Sequence, residues 1–121
     1  MTIVDFIEQR LAEDEAVANA AAEVEGAQWR PDGYFNEPDK VDGDRDTAVG
    51  YDMSSAASTH IARHDPARVL RQVKALRSIV EMQAAMSSMW IPNTGYLMAE
   101  PNLQFIASIW SDHPDYRQEW A

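Results

Sequence analysis

Apolar positions in the first quarter of the chain recur at helical spacing. Ile3, Ile7, Leu11 and Ala18 fall near one face, with Val4 and Val24 beside it, which predicts a helix over residues 2–25. Thr2 followed by Asp5 resembles a capping box with Asp in place of the usual Glu or Gln. Five alanines between Ala16 and Ala22 favour the same conformation. Glu13, Asp14 and Glu15 form an acidic block midway, and Asp14 continues the apolar stripe between Leu11 and Ala18. The plain reading of Asp14 is a helix edge turning into solvent; the sharper one is an inward carboxylate with a basic or metal partner.

Gly26 ends this helix, and the pattern changes. Residues 26–52 hold four of the five glycines, two prolines and seven acidic residues, punctuated by Trp29, Tyr34, Phe35, Val41, Val49 and Tyr51. This predicts short strands over 27–30 and 47–51 joined as a β-hairpin, with residues 37–46 as its least ordered part. A short helix is expected over 54–64. Asp65-Pro66 then opens the clearest element, a helix over 66–90, because Asp caps well and Pro suits the first helical position.

That long helix changes face along its length. Val69, Val73, Leu76 and Val80 share a narrow arc, whereas Met82, Met86, Met89 and Trp90 sit about 100° away from it. Its first half is expected against the N-terminal helix and the hairpin; its second half needs another cover. Residues 92–95 read as a loop, 101–110 as a C-terminal helix, and 112–120 as a closing turn. The expected fold is one mainly α domain (α+β): helix, short β-hairpin, short helix, long central helix, C-terminal helix.

Composition narrows the function classes. The chain has 121 residues, enough for one domain with its own core. It contains no cysteine, which removes disulfides, thiolate metal sites and cysteine nucleophiles. Twenty acidic residues against ten basic ones give a formal charge of −10, which argues against wrapping nucleic acid or binding anionic lipid. Arg63, Arg68, Arg71, Lys74 and Arg77 supply half of the cations and read as a balance to the acidic first helix. No basic or apolar leader precedes the first helix, and no apolar run approaches membrane-spanning length, so a cytoplasmic location is expected.

Candidate chemistry centres on the three histidines. His60 and His64 are four residues apart, so both lie on one helix face and can share a divalent ion. His113 with Asp112 can complete the ligand set, and Asp65 and Asp14 are further carboxylates to consider. The bland alternative is that His64 and His113 cap helix ends through backbone carbonyls or carboxylates. Asp42, Asp44 and Asp46 alternate like the start of a calcium loop, but Thr47 stands where Gly is needed and Met53 where Glu is needed. Ser54, Ser55 and Ser58 lie near His60 in sequence, without any sign of an oriented base or oxyanion hole.

The blocks His60-Ile-Ala-Arg-His64-Asp-Pro-Ala-Arg68-Val-Leu, Glu13-Asp-Glu-Ala, Gln28-Trp29-Arg30 and His113-Pro-Asp-Tyr-Arg-Gln-Glu-Trp120 together resemble a small family of uncharacterised proteins of actinobacteria and their bacteriophages. The resemblance spans nearly the whole chain. It departs near Trp29, where the family often has Gly-Pro-Trp and this chain has Ala27-Gln28 before the Trp. It implies a phage or prophage setting and carries no activity, cofactor or catalytic residue.

The expected role is therefore a small acidic accessory protein, without cofactor, that works by contact with a host or phage protein or with a second copy of itself. The expected surface is Met82, Met86, Met89, Trp90, Phe105, Trp110 and Trp120, which combine adaptable thioethers with aromatic anchors. The same residues fit equally the second half of one core. One alternative is a metal protein or hydrolase using one divalent ion on His60, His64, His113 and Asp112. Another is an acidic nucleic-acid mimic, resting on the net charge and the carboxylates from Asp32 to Asp52.

Overall fold

The computed structural model describes residues 1–32, 37–45, 47–87 and 99–121. Their elements run α1 (Ile3–Glu25), β1 (Trp29–Pro31), β2 (Val41–Gly43), β3 (Ala48–Gly50), α2 (Ser55–Arg63), α3 (Pro66–Ser87) and α4 (Ala99–Ala107). Two 3₁₀ turns follow, over Ser108–Trp110 and Gln118–Trp120. The fold is mainly α with a small antiparallel sheet, as the periodicity predicts. No described helix is long and apolar enough to cross a membrane. The chain divides into two compact units, one of residues 1–13 with 73–121 and one of residues 14–72.

Local chemistry sets the helix ends. The Thr2 backbone N–H donates to Asp5 Oδ2 at 3.0 Å, and the Asp5 N–H donates to Thr2 Oγ1 at 3.1 Å, so the capping box closes reciprocally. Gly26 ends α1 at φ 81°, where its N–H reaches the Ala22 carbonyl at 2.9 Å. A side chain is disfavoured at that left-handed position. Ser54 caps α2 by accepting the Ala57 N–H. Asp65 caps α3 by accepting the Arg68 N–H at 2.9 Å, with Pro66 first in the helix.

In the unit of residues 14–72, the sheet order is β1-β2-β3 and α2 packs on β1. Trp29 pairs with Gly43, Arg30 with Asp42 and Pro31 with Val41; a bulge between Val41 and Asp42 shifts the second ladder. The expected hairpin therefore needs correction. Strands near 27–30 and 47–51 exist, but they do not pair with each other. Part of residues 37–46, expected to be the least ordered stretch, supplies the central strand, all three of whose residues are buried. The run is only Val41-Asp42-Gly43, and a charged residue at its middle hides the period. Asp42 tolerates burial because the Lys40 ammonium lies 3.4 Å from its carboxylate. Gly43 is required by proximity, since a β-carbon there would meet the Glu25 carbonyl oxygen at 1.9 Å.

Two further ties hold the helices to the sheet. The buried Ser58 hydroxyl donates to the Lys40 carbonyl at 2.9 Å and accepts the Asp32 N–H at 3.4 Å. At the start of α3, Asp65 Oδ2 accepts the Trp29 N–H at 3.1 Å, and the Ala67 N–H donates to the Ala27 carbonyl at 2.9 Å. Ala67 is one of the first-turn donors that a helix cannot satisfy internally. The strand entrance and the helix start thus complete each other's hydrogen bonding.

In the other unit, Phe6, Ile7 and Leu11 of α1 are fully buried, as are Val80 of α3 and Ala107 of α4. Val73, Leu103 and Ile106 complete the apolar core with Trp120. Asn102 Nδ2 donates to the buried Gln83 Oε1 at 3.2 Å, which ties α4 to α3.

Candidate functional site

α2 presents His60 and His64 on one exposed face, with ring centroids 4.3 Å apart. His64 is the C-cap of the helix, and its Nδ1 lies 2.8 Å from the His60 carbonyl oxygen. A carbonyl only accepts, so Nδ1 carries a proton, and in the neutral ring Nε2 is the acceptor. A ring held this way is oriented as metal-ligating or proton-accepting histidines commonly are. The same contact is also the capping role expected from sequence. Both oxygens of the neighbouring Asp65 accept backbone N–H groups, from Trp29 and Arg68.

His64 also opens onto a cleft of about 360 Å³ between the second half of α1 and the start of α3. Its walls are mostly apolar, with Val17, Ala18 and Ala21 on one side and Pro66 and Val69 on the other; Asp14, His64 and Gln72 are the polar groups. Asp14 is half-buried at this edge rather than wholly turned into solvent.

His113 belongs to a different cluster, within the unit of residues 1–13 and 73–121. The Arg10 guanidinium, on a side chain only 4% exposed as a residue, lies with Nη1 2.7 Å from His113 Nδ1 and 2.5 Å from Nε2. The Asp115 N–H donates to Nδ1 at 3.1 Å. The guanidinium only donates and faces both ring nitrogens, and the backbone N–H adds a second donor at Nδ1. The ring that the sequence offered as a metal ligand thus lies against a guanidinium, where a dication would meet like charge. Asp112 is exposed in the adjoining turn. Among the described residues, no group of three or more His, Asp or Glu side chains is arranged to hold a metal ion.

Sequence reasoning missed Arg10. It donates from Nη2 to Glu13 Oε1 at 2.9 Å, lies 3.9 Å from Asp115 Oδ2 and stacks 5.3 Å from the Phe6 ring centroid. Its Nε is buried without a hydrogen-bond partner. The signal was available: Arg10 follows Phe6 by four and Ile7 by three, which places a cation on the apolar arc. Around it the C-terminal segment closes on Phe6, whose ring meets His113, Tyr116 and Trp120 at 5.8, 6.0 and 5.1 Å.

The proposed contact residues separate into distinct environments. Met82 is 63% exposed and Phe105 71% exposed, while Met86 and Trp110 are half-buried. Ile79 and Ile109, not singled out from sequence, are exposed as well. Trp120 does not stand on this face: it is buried against Phe6 and Tyr116. Met89 and Trp90 lie outside the described residues. The arrangement follows from α4, which turns Leu103, Ile106 and Ala107 into the core and leaves Phe105 on its other side.

No curated protein and no protein of solved structure matches the chain. A family model described as a family of unknown function (DUF6221) matches residues 1–121.

Proposed function

We propose that this chain, which belongs to that family of unknown function, works by protein contact through the exposed face of α3 and α4, and that its first partner is a second copy. The observation that carries this reading is the exposure of Phe105 and Met82 on helices whose other sides already fill a core. A large aromatic ring and a thioether left in water are a cost that burial against a partner removes. In a phage or prophage setting, a host protein would use the same face. Light scattering over a concentration series tests the reading. The wild type should dimerise, and Phe105→Ser or Met82→Ser should weaken the dimer at least about tenfold. A wild type that stays monomeric throughout overturns self-association.

A second reading rests on the His64 ring held by the His60 carbonyl. On this reading His60 and His64, on one face of α2, would together ligate a divalent ion. Elemental analysis of protein purified without chelator should then find metal that is lost in His60→Ala; no metal and no uptake on addition removes this reading.

A further inference from the structure

The second half of α1 carries a surface unrelated to the proposed dimer face. Asp14, Val17, Ala21 and Val24 follow one another at intervals of three, four and three residues. That is the spacing by which one helix packs along another. This row is only partly covered: Val17 is 71% and Val24 65% exposed, and Asp14 and Ala21 are half-buried. The core of the same unit draws instead on Ala18, one step round the helix. Beside the row lies the cleft bounded by Pro66 and Val69, with room for one leucine- or phenylalanine-sized side chain.

Charge specifies the occupant. Residues 14–25 carry four carboxylates, Asp14, Glu15, Glu23 and Glu25, and no lysine or arginine. A second copy would bring the same carboxylates against these, which is repulsive. The opposite wall supplies no fixed cation at the cleft: its lining residues there are His64, Pro66, Val69 and Gln72. The Arg68 guanidinium is turned to the Arg63 carbonyl at 3.3 Å, and Arg71 lies about 200° round α3 from Val69.

We propose that the α1 face of Val17, Ala21 and Val24, with the cleft beside it, receives one amphipathic helix of a basic protein partner. An apolar anchor of that helix enters the cleft, and a lysine or arginine next to it meets Asp14. The apolar row supplies the contact area, and the carboxylates supply selection for a cationic partner.

The test uses two helical peptides of roughly 20 residues, titrated into the full chain and followed by fluorescence anisotropy. Both carry leucines at alternating three- and four-residue spacing; one has lysines beside them, the other glutamates. The lysine peptide should bind and the glutamate peptide should not. Val17→Glu, at an exposed position that circular dichroism will show still folds, should lose at least about tenfold in affinity, and so should wild type moved to high salt. Asp14→Lys should also weaken the lysine peptide. The proposal is overturned if neither peptide binds, if both bind equally, or if Val17→Glu binds as wild type does. It is also overturned if Val17→Glu abolishes self-association, because a second copy would then occupy this face.

Discussion

Replacing Arg10 with alanine removes a cation that the unit of residues 1–13 and 73–121 buries almost completely. Three effects decide the magnitude. The guanidinium loses its bonds to Glu13 at 2.9 Å and His113 at 2.7 Å, each worth about 1.5–3 kcal/mol when a charged group takes part. The cost of its partnerless Nε, about 1–3 kcal/mol, is relieved. The stem leaves a void beside Phe6. Glu13 and Asp115 are mostly exposed, so water recovers them and neither is stranded as a buried charge. The balance is a loss of about 3 kcal/mol, with a fall in Tm of about 10 °C for a domain of this size. Arg10→Met refills the stem's space without the charge and should lose about half as much. Urea unfolding followed by circular dichroism measures both variants, with an unchanged denaturant slope showing that only stability moved. An Arg10→Ala variant within about 0.5 kcal/mol of wild type would refute the view that this cluster fastens the C-terminal segment to α1.

Other consequences are as direct. The Thr2 backbone N–H, then its hydroxyl, hold the Asp5 carboxyl below the usual carboxylate range. Its stabilising contribution is therefore present above about pH 4 and lost as pH falls through the lowered native value. The stability difference between wild type and Asp5→Asn, followed by acid titration, should shrink across that window. Asp65→Ala strands the N–H groups of Arg68 and Trp29, should cost about 2 kcal/mol, and should speed hydrogen exchange at the Trp29 amide. Gly43→Ala forces a β-carbon against the Glu25 carbonyl and should cost about 3 kcal/mol by thermal unfolding, since backbone has to move.

The helices were legible because their signals are local and redundant. The capping box at Thr2 and Asp5, the stop at Gly26 and the Asp65-Pro66 start each act within one turn of chain, and the structure realises all of them. β2 was not legible. Its three residues carry one apolar side chain, and its place between β1 and β3 is set by the Ser58 bond to the Lys40 carbonyl and the close approach to Glu25, with Ser58 and Glu25 both distant in sequence. The histidines divided for a similar reason. His60 and His64 meet because helix geometry dictates it, while the fate of His113 depends on Arg10, 103 residues away. The change of face along α3 was visible in the spacing of Met82 and Met86. Which of the candidate aromatics stay exposed was not, since Trp120 is drawn inward by Phe6 and Phe105 is left outside by the core-facing side of α4.

The claim of protein contact through α3 and α4 is tested most directly by amide chemical shifts of isotope-labelled protein over a dilution series. Concentration-dependent shifts are expected at Ile79, Met82, Phe105 and Ile109, with steady shifts along α2 and loss of the dependence in Phe105→Ser. Shifts that do not change with concentration, or that change in α2 while those four residues stay still, would contradict it.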